Sequence, residues 1–189
     1  MTKINFQNIE YLSFGNKKQK QSYKILSELD IFETLKNFTP ILVGTIPLGI
    51  DNEKSDLDIV CCFTNILDFR KLIEEKFSKQ KNFSIREDLF KNNLLVANFF
   101  IDEMEIEIYG SHIYSTQTNG YRHMIIEDRI LQLADSKFRQ KIIELKKDGM
   151  KTEPAFAFLL KLEGNPYDKI LELENYSDYE LIKLCAIKH

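Results

Sequence analysis

Leu42-Val43-Gly44-Thr45-Ile46-Pro47-Leu48-Gly49-Ile50-Asp51-Asn52-Glu53-Lys54-Ser55-Asp56-Leu57-Asp58-Ile59-Val60 decides the fold. It opens on Pro40–Thr45, a short apolar run rich in β-branched residues, which predicts a strand. Pro47, Gly49, Asp51 and Asn52 predict a loop after it, and Asp56–Phe63 predicts a second strand. Successive side chains of a strand point to opposite faces, so Asp56 and Asp58 share one face and Leu57 and Ile59 the other. Burying the apolar face leaves two carboxylates side by side at the strand's start. Their repulsion is unfavourable unless something positive lies between them. A hard divalent cation, Mg²⁺ or Mn²⁺, meets that need through one or two carboxylates plus substrate phosphates.

A third acid fits the same geometry. In Met104-Glu105-Ile106-Glu107-Ile108-Tyr109 the acids alternate with apolar residues, giving another strand with one apolar and one acidic face. Glu107, flanked by two isoleucines, is better placed than Glu105 to lie deep in a sheet. Asp56, Asp58 and Glu107 are therefore the candidate metal ligands and catalytic residues. Two metal ions held by three carboxylates can position an attacking hydroxyl and a leaving pyrophosphate for in-line displacement. The plainer alternatives are a solvated turn for the Asp pair and an edge-strand surface position for Glu107.

Around this centre the chain reads as three zones of a single domain, residues 1–189. Residues 5–38 are helical, with Ile25, Leu26, Leu29 and Phe32 recurring at helical spacing and Asn16 as a cap. Residues 40–110 concentrate the strands: after the first two come a helix over Asp68–Lys79, then strands over Phe83–Leu89, Leu94–Ile101 and Met104–Tyr109. Asp102-Glu103 forms the tight turn between the last two. Residues 117–187 are helical again, over Tyr121–Leu133, Lys137–Lys147, Glu153–Leu162, Tyr167–Leu173 and Asp178–Ile187. Gly149 and Gly164 stand where helices stop, Pro154 and Pro166 where they begin. This order predicts an α+β fold with a small mixed, mostly antiparallel sheet and helices before and after it.

Composition narrows the function classes. The net charge is −3, where a protein living on duplex binding is usually basic, so no duplex DNA partner is expected. No apolar run reaches the roughly 18–20 residues of a membrane span, so no membrane partner is expected. Met1–Glu10 lacks the pattern of a signal peptide, and the chain reads as cytoplasmic. Of the three cysteines, Cys61 and Cys62 point to opposite faces of a strand and cannot jointly clamp one ion; buried reduced thiols are the simplest reading.

A Gly-Thr pair, ten intervening residues and Asp-Leu-Asp followed by apolar residues resemble the signature of the DNA polymerase beta-like nucleotidyltransferase superfamily. That resemblance implies Gly44 and Thr45 as the small-residue pair, Asp56 and Asp58 as the paired metal ligands and Glu107 as the third acid. A wider set, Val43–Asp51, Ser55–Val60, Tyr121-Arg122-His123-Met124 and Lys151–Ala157, is similar to a family of small bacterial proteins. That family carries a domain-of-unknown-function label and is classed as nucleotidyltransferase-like. Two departures stand out: Ile46-Pro47-Leu48-Gly49-Ile50 carries no charge, and the third acid is Glu rather than Asp.

The implied activity is metal-dependent transfer of a nucleoside monophosphate from a nucleoside triphosphate to a hydroxyl acceptor, with Mg²⁺ or Mn²⁺ as cofactor. Gly44, Thr45, Ser55, Arg122, His123 and Lys151 are the candidate nucleotide-binding residues. Gly permits close backbone approach to a phosphate and Thr donates to it. Arg122 presents a fork that matches phosphate oxygens near a helix start. The plainer alternative for His123 is a surface pair with Glu127 one turn on. Two other functions stay open: a non-catalytic nucleotide- or RNA-binding protein on the same fold, and a toxin–antitoxin component.

Overall fold

The period-two stretches pair into one sheet of five strands, in the order β1-β2-β5-β4-β3. The strands are β1 (Ile41–Val43), β2 (Leu57–Cys62), β3 (Lys81–Asp88), β4 (Leu94–Ile101) and β5 (Met104–Ser111). This computed structural model describes residues 4–88 and 94–186, so the expected ends at Leu89 and Ile187 lie outside the described residues. β2 and β5 run parallel, while β1–β2, β4–β5 and β3–β4 are antiparallel. The sheet is thus mixed and mostly antiparallel, with helices before and after it in sequence.

The chain divides into two compact units: residues 1–49 with 56–121, and residues 50–55 with 122–189. The first holds the sheet and the helices α1 (Lys17–Glu28), α2 (Ile31–Thr34), α3 (Thr45–Leu48) and α4 (Ile66–Phe77). α5 (Asn119–Leu133) begins in the first unit and continues in the second, which also holds α6 (Ser136–Lys147), α7 (Thr152–Leu159), α8 (Pro166–Glu172) and α9 (Asp178–Cys185).

One face of the sheet makes the core of the first unit. Leu57, Ile59, Ile106, Ile108, Leu95, Ala97 and Phe99 are buried there with Phe69, Ile73 and Phe77 of α4 and Ile25 and Leu26 of α1. Phe77 stacks on Phe99 at 5.0 Å between ring centroids. Gly110 belongs to this face: a Cβ there would stand 2.2 Å from the Phe69 ring, so only glycine lets α4 lie this close. Asn16 caps α1 in a reciprocal box with Gln19, whose amide also donates to the Ile46 carbonyl at 2.8 Å. That bond ties α1 to α3. Asp102, with φ of 52°, makes the two-residue turn that pairs Ile101 with Met104.

In the second unit, Phe138 of α6 meets Phe156 of α7 edge to face at 5.9 Å, and Ile130, Ile142, Ile170 and Leu181 are fully buried. Among the cysteines, Cys61 is buried and burial pushes its thiol pKa up, whereas Cys62 and Cys185 are only partly buried. All three are free thiols.

Candidate active site

The second face of the sheet carries the acids in a row. Register places Val43 opposite Asp58, Asp58 opposite Glu107 and Glu107 opposite Asn98, so a line of side chains crosses four strands. Leu57, Ile59, Ile106 and Ile108 fill the core behind it, which fixes this face outward. The Asn98 amide donates to Glu107 Oε2 at 3.1 Å and to Glu105 Oε1 at 3.2 Å, holding two like charges on one donor. Asp58, Glu105 and Glu107 are partly exposed.

Gly44 closes the β1 end of the row. Its φ of 84° lies in the left-handed region, and a Cβ there would stand 2.9 Å from Asp58 Oδ2. Only glycine combines that backbone with that carboxylate at this distance. Thr45 is the first residue of α3, with Gly44 at its N-cap position. Gly44 and Asp58 therefore stand together, with Thr45 next in the chain.

Asp56 stands one residue before β2, outside the paired ladder that begins at Leu57 with Ile106. Among the described residues, no group of three or more His, Cys, Asp or Glu side chains stands close enough to hold one ion. The three acids expected to share a metal are present here as a cross-strand pair, Asp58 with Glu107, and a third acid at the strand entrance.

The remaining candidates fall in the second unit. Ser55 closes a turn, its hydroxyl accepting from the Asn52 backbone N–H at 3.0 Å. Arg122 makes a bidentate pair with Glu174, at 2.9 Å from Nε and 2.5 Å from Nη2, and the pair holds the Glu174 carboxyl below its usual range. Lys151 is exposed at the N-cap position of α7. His123 is buried: Nε2 meets the Tyr167 carbonyl at 2.9 Å and Nδ1 stands 3.4 Å from Glu153. The surface pair with Glu127 does not form, because the face of α5 that carries both residues points inward. Glu127 is only 3% exposed, with Glu153 and Lys146 near enough to act on its charge. Burial, and then Glu153, push its carboxyl pKa well above 4.5, against a smaller lowering by Lys146. Lys146 itself donates from Nζ to Thr152 Oγ1 at 2.9 Å.

Sequence reasoning missed Asn98 and Arg86. Both lie on the acid-bearing face of the sheet, Asn98 opposite Glu107 and Arg86 opposite Val96, and only this cross-strand register, which the sequence does not state, brings them there.

A mixed sheet with paired acids at the entrance of one strand and a Gly-Thr turn against them is the nucleotidyltransferase type of fold. Solved structures agree. The chain aligns with a cytoplasmic RNA terminal U-transferase at a TM-score of 0.56 and 11% identity, over 84% of this chain and 49% of that one. The Cid1 poly(U) polymerase with Mg and 3′-dATP bound aligns at 0.56 and 12%, over 87% and 54%. In the GLD-2/RNP-8 complex the corresponding values are 0.52 and 14%, over 93% and 81%. This chain thus spans about half the length of the first two. None of the curated proteins matches it. The chain belongs to the family described as Domain of unknown function (DUF4269), whose model matches residues 24–173.

Proposed function

We propose that the protein is a metal-dependent nucleotidyltransferase that moves a nucleoside monophosphate from a nucleoside triphosphate to a hydroxyl acceptor in the cytoplasm. The observation that carries the reading is the cross-strand pairing of Asp58 with Glu107 beside the left-handed Gly44. Partly exposed carboxylates, set in a row with one amide donor, are a hard oxygen donor set, which suits Mg²⁺ or Mn²⁺. Asp56, Asp58 and Glu107 would hold the metal, which when bound neutralises phosphate charge and lowers the pKa of a coordinated hydroxyl. Thr45 and Gly44 meet the phosphates, since the glycine leaves room for close approach. Glu107, steadied by Asn98, accepts the proton of the attacking hydroxyl. Ser55, Arg122 and Lys151 are proposed secondary contacts to the nucleotide; Arg122 has to exchange Glu174 for a phosphate, and His123, buried against Tyr167 and Glu153, is left to the fold.

A second reading, a binder without turnover, draws on α3. It is four residues long, and Ile46, Pro47 and Leu48 are buried, so this segment offers no cation to a triphosphate. Incubation with Mn²⁺ and each labelled nucleoside triphosphate, with a panel of hydroxyl acceptors, separates the two. The transferase reading predicts pyrophosphate release that Asp58→Asn abolishes. Triphosphate binding without release in any combination would establish the binder.

A further inference from the structure

The acid row has a neighbour one strand period away. Register lines up Ile41, Val60, Tyr109, Val96 and Arg86 across all five strands, on the same face as Asp58 and Glu107. A cleft of about 520 Å³ opens where the two rows meet, lined by Arg86, Glu87, Asp88, Leu94, Val96, Glu107 and Tyr109. It therefore combines the proposed catalytic carboxylate, two further acids (Asp88, and Glu87 paired with Arg70), an aromatic and aliphatic wall, and a guanidinium. A larger cavity of about 710 Å³ lies between the N-terminal helices and β1 and includes none of the acids in the row.

Arg86 is the unusual member. Lys81 and Arg86 are the only basic residues in the five strands, and Lys81 stands 4.0 Å from Glu103. Nearby Arg70 of α4 is bound to Glu74 and Glu87. The Arg86 side chain is exposed and makes no ion pair or side-chain hydrogen bond among the described residues. A guanidinium on the wall of a cleft, not consumed by the protein's own acids, suits an anion that accepts two hydrogen bonds side by side, as a phosphate does. Arg86 and Glu107 are two strands and one period apart, a Cα separation of about 12 Å by sheet spacing. Side chains reaching toward one another from those positions would leave about the span of one sugar phosphate.

We propose that this cleft is the acceptor subsite and takes a hydroxyl whose own phosphate lies one sugar away. The phosphate sits on Arg86, the ring system against Tyr109 and Val96, and the hydroxyl at Glu107. The inference rests on the transferase reading given above. In the step, the acceptor oxygen forms a bond to the α-phosphorus and the bond from that phosphorus to the bridging oxygen breaks. Pyrophosphate leaves with the electron pair, and the hydroxyl proton passes to Glu107. Arg86 is a positioning residue for the acceptor.

The test uses the full chain with the triphosphate site saturated by a non-hydrolysable UTP analogue and Mn²⁺. The dinucleotide UpU, uridine and ribose 5-phosphate are then titrated by calorimetry. UpU should bind at least tenfold more tightly than uridine. Arg86→Ala and Arg86→Glu should remove that advantage, a loss of about ten- to a hundredfold, with affinity for the UTP analogue unchanged. Arg86→Lys should keep part of it. Ribose 5-phosphate matching UpU would assign a small sugar phosphate; weaker binding would assign a nucleic-acid end. Equal affinity of wild type and Arg86→Glu for UpU overturns the proposal, as does equal binding of UpU and uridine. Failure of the transferase reading shows separately, as no pyrophosphate release by wild type with any nucleoside triphosphate. UpU titrated alone must then still lose affinity in Arg86→Glu, or the cleft is not an anion site. β3 is an edge strand, so these variants keep the wild-type melting temperature.

Discussion

On the sheet, Glu105 and Glu107 lie partly exposed and share one Asn98 amide, and neither makes an ion pair among the described residues. In the helical unit, Glu127 is 3% exposed, with Glu153, His123 and Lys146 around it. Both regions cluster carboxylates, and they resolve the repulsion in opposite ways. The helical cluster resolves it by desolvation, which favours the neutral form of Glu127, while Lys146 offsets Glu153 in part. The sheet row keeps its acids facing solvent, where an external cation can meet them. A cluster neutralised by its own surroundings serves the fold, whereas one left facing outward is available for chemistry.

The comparison breaks first at turnover. Asp58→Asn and Glu107→Gln should each lower pyrophosphate release by more than a hundredfold, since even outer-shell partners of a metal cost 10- to 100-fold. Glu127→Gln should leave release unchanged. Loss of activity in Glu127→Gln without loss of melting temperature would move the chemistry to the helical unit.

Gly44→Ala comes next. It forces a Cβ into a left-handed backbone at 2.9 Å from Asp58 Oδ2, so urea titration should show a loss of about 1–3 kcal/mol. The same change at Gly149, where φ is 95° and no atom lies within 4 Å of an added Cβ, carries only the backbone part. Equal losses at the two positions would mean that the Asp58 carboxylate yields without cost.

A pH profile sharpens the contrast further. The folded pKa of Glu127 is raised, so its contribution to stability is present below about 4.5 and is lost as pH rises through the folded value. Glu127→Gln should therefore gain on wild type from pH 5 to pH 8, by roughly 2–4 °C for each kcal/mol relieved. Glu153, His123 and Lys146 remain in both proteins, so the difference isolates Glu127. A difference that is flat with pH contradicts the assignment.

Asp56→Asn carries the smallest effect. Removing one like charge from the sheet's entrance should stabilise the protein in chelator by less than about 1 kcal/mol, read as a slightly higher melting temperature, and abolish any gain on adding Mg²⁺. A mutant that melts lower in chelator would make Asp56 a structural hydrogen-bond acceptor.

Particular residues show what the sequence made legible. Alternation at Asp56–Val60 and Met104–Tyr109 placed Asp58 and Glu107 on one face, because a strand's period is independent of its partners. Asn16, Gly149 and Pro166 marked helix ends through local chemistry, whereas α7 stops at Leu159, well before Gly164, and Lys161 takes the positive φ. Non-local facts were hidden. Nothing in the chain announces that β2 pairs parallel with β5, that Gly110 makes room for Phe69, or that Ile50–Ser55 joins the helical unit. The inward face of α5 was hidden for the same reason: His123 and Glu127 look like a surface pair until Glu153 and Lys146 are brought beside them.

The most direct test of the central claim is Mn²⁺ titration by calorimetry on wild type, Asp58→Asn, Glu107→Gln and Glu127→Gln. The account predicts a divalent site in wild type and Glu127→Gln that both sheet variants lose. Equal Mn²⁺ affinity in all four proteins, or a loss confined to Glu127→Gln, would contradict it.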